Sequence, residues 1–262
     1  MTAPAIAPLF VPGNRPERFA KAAASGADAV LIDLEDAVAP EEKEAARRAA
    51  AGAALEGAHV LVRINGAGTP WHQADVAALA SAKIGGIILS KAEDPAALAA
   101  IRAALGEGKE LVALVESARG IAAARELARG ATRLAFGSID FAADLGCAHT
   151  REALLMARLE LVLASRLAGI AAPLDGVTAT IGDDAMTEEE ARYAGELGFG
   201  GKLCIHPRQV ASTLRGFAPG AEEVAWARKV LAAGGEGAVA VGGMMIDAPV
   251  RIRAERILSR AG

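Results

Sequence analysis

Two apolar runs, LVALVES and RLAFGSID, each end by delivering one carboxylate, Glu116 and Asp140. In a parallel sheet the ligand-binding groups lie beyond the carboxyl ends of the strands, and a hard divalent cation prefers carboxylate oxygen over nitrogen or sulfur. The pair therefore reads as a site for Mg2+. Two further runs deliver polar groups in the same way: AVLIDLED ends in Asp33, Glu35 and Asp36, and HVLVRIN ends around Arg63 and Asn65. Gly137 and Ser138 precede Asp140 in a tight strand-to-loop passage, where a missing Cβ lets substrate or metal approach the backbone. Lys91 and Lys202, also at expected strand ends, raise a different chemistry, a Schiff base with a ketone substrate. The acids argue against it, because a site with metal ligands has no need of an imine electron sink. His59, His72 and His149 show no zinc-like spacing, and His206 reads as ordering its own loop.

The elements that must carry these residues follow from the pattern. Short apolar runs alternate with Ala-rich segments whose charges recur at helical spacing, the signature of βαβ units. Eight strand candidates centre near Leu9, Leu31, Val62, Ile88, Leu114, Phe136, Thr178 and Leu203. Helices are expected over 15–25, 40–55, 71–80, 95–105, 120–128, 150–168 and 187–197. PEEKEAAR is a credible helix start, since Pro needs no N–H there and acids suit the positive end of the dipole. The fold class expected is α/β, a (β/α)8 TIM barrel over residues 1–214 with a C-terminal arm or lid over 215–262. A doubly wound open sheet is the alternative, because its strands are also buried on both faces. The arm contains a helix around 222–233, the glycine-rich stretch GGEGAVAVGG, and MIDAPVRIRAERIL. That stretch does not follow a strand as a Rossmann or P-loop turn does.

Composition bounds the function. The 262 residues suit one barrel plus an appendage, and no apolar run approaches the roughly 20 residues of a membrane span. The start MTAPAIAPLFVPG lacks a basic region followed by a long apolar one, so a cytoplasmic protein is expected. Two cysteines, Cys147 and Cys204, cannot build a disulfide framework. A net charge of −4 with interspersed signs, and 3% aromatics, give neither a basic stripe nor a stacking platform, so no nucleic-acid partner is expected.

FVPGNRPERF, DLEDAV, VRIN, ESARG, GSIDFAADLG, GKLCIHPRQV and GGMMIDAPV, in this order, resemble the HpcH/HpaI aldolase and citrate lyase beta-subunit family. The resemblance implies a barrel, a Mg2+ cofactor held by Glu116 and Asp140, and carbon–carbon bond cleavage beside a carbonyl. It implies as substrate a CoA thioester of the citryl-, malyl- or citramalyl-CoA type, giving acetyl-CoA and a 2-oxo acid. It further implies that Arg63 grips the oxo-acid carboxylate, for which a planar guanidinium offers two parallel hydrogen bonds; an ion pair with a strand-two acid is the structural alternative. Asp247 of MIDAP resembles the acid that reaches a neighbouring subunit's barrel and exchanges a proton with the thioester methyl carbon. That role requires a homo-oligomer, a trimer or hexamer; the alternative for Asp247 is a helix cap. Asp36 reads as an outer partner of metal-bound water, with Glu35 turned away by strand alternation. FVPGNRPE offers its amides and Arg15 to a CoA phosphate. Ser90 departs from the pattern, standing where members commonly carry Pro. A non-catalytic binding subunit and a CoA-independent aldolase are the competing functions.

Overall fold

The computed structural model describes residues 4–233, 239–241 and 244–261. Eight strands, β1 (Leu9–Pro12), β2 (Val30–Asp33), β3 (Val60–Ile64), β4 (Gly86–Leu89), β5 (Glu110–Val115), β6 (Arg133–Phe136), β7 (Ala171–Asp175) and β8 (Gly201–Lys202), form one curled parallel sheet in sequential order. Backbone bonds also join its two ends. Lys202 N–H donates to Ile6 O at 2.8 Å, Cys204 N–H to Pro8 O at 2.9 Å, and Phe10 N–H to Cys204 O at 2.8 Å. Helices connect successive strands, and a parallel pairing requires such a crossover.

The strands are apolar on both faces because both are covered. Val30, Ile32, Val62, Ile64, Leu89, Ala113, Val115, Leu134 and Phe136 pack toward the helices. Leu31, Leu61, Ile88, Val112, Leu114, Ala135, Leu174 and Leu203 form a second cluster on the inner face. Alternation of period two then decides what the inner face presents where the strands end. Two residues beyond an inner leucine, isoleucine or alanine the same face recurs: Leu31 leads to Asp33, Leu61 to Arg63, Ile88 to Ser90, Leu114 to Glu116, and Ala135 to Gly137. The polar groups at the strand ends thus stand on top of the inner core.

Three expectations need correction. The seventh strand is AAPLD rather than GVTATIG: Pro173 removes a ladder donor and so weakens the strand pattern, yet the chain re-enters the sheet right after the left-handed Gly169 that ends helix Arg151–Ala168. Helices Ser138–Leu145 and Pro207–Phe217 occupy segments with no helix expected. The second of these runs across residue 214, and Phe217 at its end is buried. Segment 40–55 is shorter than expected, a single 3-10 turn, Pro40–Glu42, followed by Lys43–Ala51.

Beyond residue 217, helices Ala221–Ala232 and Ala248–Ser259 flank an antiparallel hairpin of β9 (Val239–Val241) and β10 (Met244–Ile246). Ala227, Val230, Ile246, Ala254 and Ile257 give this arm a small core of its own. Part of the glycine-rich stretch, 234–238 and 242–243, lies outside the described residues. Among the described residues no helix is long and apolar enough to cross a membrane.

Candidate active site

The parallel register of β2 and β3 sets Asp33 beside Arg63. Arg63 donates from Nε to Asp33 Oδ1 at 2.6 Å and from Nη2 to Oδ2 at 2.7 Å, a two-bond fork. Asp33 also accepts the N–H groups of Glu35 and Ala37, so the chain leaving β2 is folded around one carboxylate. Burial opposes the guanidinium charge, but Asp33, then Glu35 and Glu116, more than offset it and raise the Arg63 pKa. The ring of Phe10 lies 4.8 Å from Arg63 Cζ and holds the other side of the fork.

Glu35 is buried and takes part in this cluster, contrary to the expected orientation. Its Oε2 lies 3.0 Å from Arg63 Nη1, and its Oε1 accepts a hydrogen bond from Lys91 Nζ. Burial raises the Glu35 pKa, although Arg63 and Lys91 pull it down. Glu35 stands two residues past Asp33, so the period of two that carries Leu31 to Asp33 also turns Glu35 inward, with Leu34 packed toward the helices. Asp36 is instead 61% exposed, with Lys91 Nζ at 3.8 Å.

Glu116 is only 3% exposed. Its Oε1 accepts the Lys91 N–H at 2.7 Å, and Lys91 sits at φ 49°, a left-handed conformation rare outside glycine and seen where surroundings over-determine the backbone. Gly137 explains itself here. A Cβ on it would collide with Glu116 Cβ and Oε2 and lie 3.1 Å from Cδ, so its missing side chain makes room for the carboxylate. Burial pushes the Glu116 carboxyl up to about 8; the Lys91 N–H and Arg63 act against this, while the charges of Glu35 and Asp140 add to it.

Asp33, Glu35, Asp75 and Asp175 all have a cationic partner. Glu116 and Asp140 have none among the described residues. A buried carboxyl without a counter-ion, repelled by a second acid, is an environment that a hard cation would relieve. Among the described residues no three His, Cys, Asp or Glu side chains form a complete metal cage. Two carboxylates suffice for Mg2+, which keeps several waters and shares the rest of its coordination with substrate oxygens. The donor set fits.

Two buried networks that sequence reasoning missed brace the site. Lys43 Nζ donates to Asn65 Oδ1 at 2.7 Å and to the carbonyls of Leu34 and Glu35 at 2.9 Å each. Asn65 and Arg47 both reach Asp75, and His72 Nδ1 lies 2.9 Å from Asn65 O, so helices behind the sheet fix the ends of β2 and β3. On the other side, Ser138 Oγ meets His149 Nε2 at 3.0 Å and fits beside Gly176, where any Cβ would strike it. Burial and the charge of Arg158 lower the His149 pKa, which favours the neutral ring. Arg158 donates to Asp175 at 2.9 Å, and Lys202 donates to Gly176 O at 2.6 Å with Asp175 at 3.5 Å and Glu190 at 3.4 Å. Lys202 is therefore enclosed by acceptors.

The structure brings Arg63, Glu116, Asp140 and Gly137 together, with Ser138 starting the helix that carries Asp140. Arg15 is exposed ahead of the turn Pro16–Arg18, and Asp247 caps helix Ala248–Ser259 by accepting Val250 N–H at 3.2 Å. Among the described residues, no hydrogen bond or ion pair ties either to the Glu116 cluster.

The fold is a sequential eight-stranded parallel α/β sheet whose strand ends gather two carboxylates without an ion-pair partner among the described residues and an arginine held by Asp33. The sequence profile of the HpcH/HpaI aldolase/citrate lyase family matches residues 7–207, and the chain belongs to that family. It is 40% identical to a citrate lyase subunit beta-like protein of Mycobacterium tuberculosis, over 97% of this chain and 94% of the relative. It is 36% identical to the L-malyl-CoA/beta-methylmalyl-CoA lyase of Rhodobacter capsulatus, over 97% and 93%. The crystal structure of CitE from Mycobacterium tuberculosis in complex with magnesium, acetoacetate and coenzyme A superposes with a TM-score of 0.89 at 39% identity, covering 99% of both chains.

Proposed function

We propose that this chain is a Mg2+-dependent carbon–carbon lyase that cleaves a 3-hydroxyacyl-CoA thioester of the citryl-, malyl- or citramalyl-CoA type into acetyl-CoA and a 2-oxo acid. In this reading the curled sheet is a closed (β/α)8 barrel, and the protein is a cytoplasmic homo-oligomer, a trimer or hexamer. The observation that carries it is Glu116, a buried carboxyl with no cation of its own, facing Asp140 beside an arginine whose position is fixed. Relatives that are lyases, and a neighbour that holds magnesium and coenzyme A, support the same reading.

Glu116 and Asp140 hold the cation, which when bound supplies the positive charge that steadies a developing alkoxide and the oxo-acid product. Arg63 commits Nε and one side of Nη2 to Asp33, so a substrate carboxylate would meet the edge between Nη1 and Nη2, where it shares Nη1 with Glu35 Oε2 at 3.0 Å. The Asp33 fork and the Phe10 ring fix the direction in which that edge points, so the acid end of the substrate is oriented before any bond breaks. The substrate hydroxyl gives its proton to solvent water, the bond between its carbon and the thioester α-carbon breaks, and the electron pair remains on that α-carbon. Protonation there yields the methyl group of acetyl-CoA, and Asp247 from a neighbouring subunit is the acid assigned to it. Arg15 and the amides of the turn after β1 are assigned to a phosphate of CoA, and Asp36 to a water on the cation.

The test is a panel of citryl-, malyl-, citramalyl- and methylmalyl-CoA, together with the free hydroxy acids, given to the purified protein with Mg2+. Cleavage of at least one thioester is expected. Cleavage of free acids alone would make the chain a CoA-independent aldolase, and binding without turnover would make it a non-catalytic subunit.

A further inference from the structure

The seam where the two ends of the sheet meet is its narrowest join. β8 is only two residues long, and among the described residues it is linked to β1 through the bridge of Leu9 with Cys204. Pro8 weakens the seam further, since it brings no N–H to the ladder. The chain ahead of β1 makes up for this. Lys202 N–H donates to Ile6 O, Cys204 N–H to Pro8 O and Phe10 N–H to Cys204 O, so alternate residues from Ile6 to Phe10 carry the join. Gly201 lets that chain lie against it, because a Cβ there would stand 2.5 Å from Ile6 O and 2.8 Å from Ile6 Cα.

Two charged residues pin this chain in place. Asp28, just ahead of β2, accepts Ile6 N–H at 2.5 Å and Ala7 N–H at 2.9 Å. Arg133, the first residue of β6, is 3% exposed and reaches past β7, donating from Nε to Ala172 O at 2.7 Å and from Nη1 to Ala5 O at 2.6 Å. It has no ion-pair partner among the described residues, and its Nη2 makes no hydrogen bond among them. A buried guanidinium is costly to keep without an anion, so the two carbonyls it holds are what it contributes. Both pins lie at the amino ends of the strands, opposite to the Glu116 cluster.

The seam leads from these pins to the site, because Phe10, whose N–H bonds Cys204 O, is also the ring that lies 4.8 Å from Arg63 Cζ. We propose that residues 5–7, held by Asp28 and Arg133, are a latch that keeps the seam between β8 and β1 closed, and that these two residues thereby position Arg63 through Phe10. With the latch released, the short β8 parts from β1 while the other strand pairs hold, since local opening begins where the fewest bonds must break. Phe10 then loses its anchor, and Arg63 loses the ring that backs its fork to Asp33. The effect on Arg63 rests on the lyase reading above; the latch itself does not.

Cys204 reports the opening. It is 1% exposed and its backbone forms the seam, so an aromatic disulfide reagent reaches its thiol when the seam parts. In the full chain carrying Cys147→Ser, Asp28→Ala and Arg133→Met are each expected to raise the rate of Cys204 labelling about tenfold or more, and the KM for the cleaved thioester about three- to tenfold with kcat within about twofold. Thr132→Val, which removes a hydroxyl bonded to both N–H and O of Leu111 at 3.0 Å at the same end of the sheet, is expected to leave labelling and KM as in the wild type. In a Phe10→Leu background the further effect of Asp28→Ala on KM is expected to vanish, a coupling that a general loss of stability does not produce. Unchanged Cys204 labelling in Asp28→Ala would overturn the latch, as would an equal rise in Thr132→Val. A KM rise of the same factor with and without the Phe10 ring would overturn the link to Arg63. A chain that cleaves no thioester defeats the lyase reading and the role toward Arg63 with it, while labelling still decides the latch. If Arg133→Met fails to fold, Asp28→Ala decides alone.

Discussion

Gly137→Ala is the most informative small change the site offers, because it adds one methyl group and removes no functional atom. The glycine has φ −87° and ψ 72°, so alanine meets no left-handed strain and the effect is one of contact alone. The new Cβ would occupy the space of Glu116 Cβ and Oε2 and approach Cδ to 3.1 Å. Glu116 cannot swing away freely, since it is 3% exposed and Lys91 N–H holds its Oε1 at 2.7 Å. Overpacking of this kind costs roughly 1–3 kcal/mol, and a weakened buried hydrogen bond about 1 kcal/mol more. A loss of roughly 2–4 kcal/mol lowers Tm by about 5–10 °C in a chain of this size. Displacing the carboxylate is expected to weaken Mg2+ binding about 10–100-fold, read by isothermal titration, with lyase activity falling in step. Gly68→Ala is the control: nothing lies within 4 Å of its Cβ, and no change is expected. Wild-type Mg2+ affinity in Gly137→Ala would refute the argument that Gly137 exists to seat Glu116.

Three other outcomes follow from the same geometry. The Glu116 carboxyl, raised from 4.5 to about 8 by burial, favours the folded state most when neutral, so its contribution is fully present below pH 4.5 and is lost as pH rises through about 8. In the metal-free protein that contribution is at most ~5 kcal/mol; urea unfolding from pH 5 to 9 should show the decline, Glu116→Gln should flatten it, and Mg2+ should offset it. Asp33→Ala leaves the buried Arg63 without its fork and is expected to cost about 3–5 kcal/mol in urea unfolding, with a rise in KM for the thioester; equal stability to wild type would contradict the ion-pair assignment. Arg63→Lys keeps the charge but cannot reproduce the fork, so a fall of about 100-fold or more in kcat/KM is expected, and near-normal kinetics would show that the geometry is unimportant.

The chemistry at the strand ends was legible because period-two alternation links each polar group to an inner apolar residue two positions earlier. Glu116 and Arg63 could be read from the chain for that reason. Asp33 was visible as a strand-end acid, but its fork to Arg63 depends on the β2–β3 register, which one sequence does not state. Glu35 was misjudged because the alternation was counted from Asp36 rather than from Leu31 and Asp33, whose face Glu35 shares. Lys43 lies within the PEEKEAAR helix start, and nothing in the sequence shows that tertiary packing turns it inward to Asn65 and two carbonyls. The seventh strand was displaced because a proline obscured AAPLD while the valine and threonines of GVTATIG imitated a strand. The sequence marks Lys91 as a strand-end amine but gives no hint that its backbone N–H also serves the site.

The central claim is that Glu116 and Asp140 together hold the cation on which cleavage depends. Initial rates of CoA-thioester cleavage by the wild type, Glu116→Ala and Asp140→Ala, each with Mg2+ and with excess chelator, test it most directly. Cleavage by the wild type with Mg2+ alone, and by neither variant under either condition, is the predicted result. Full turnover by either variant, or by the wild type in chelator, would contradict it.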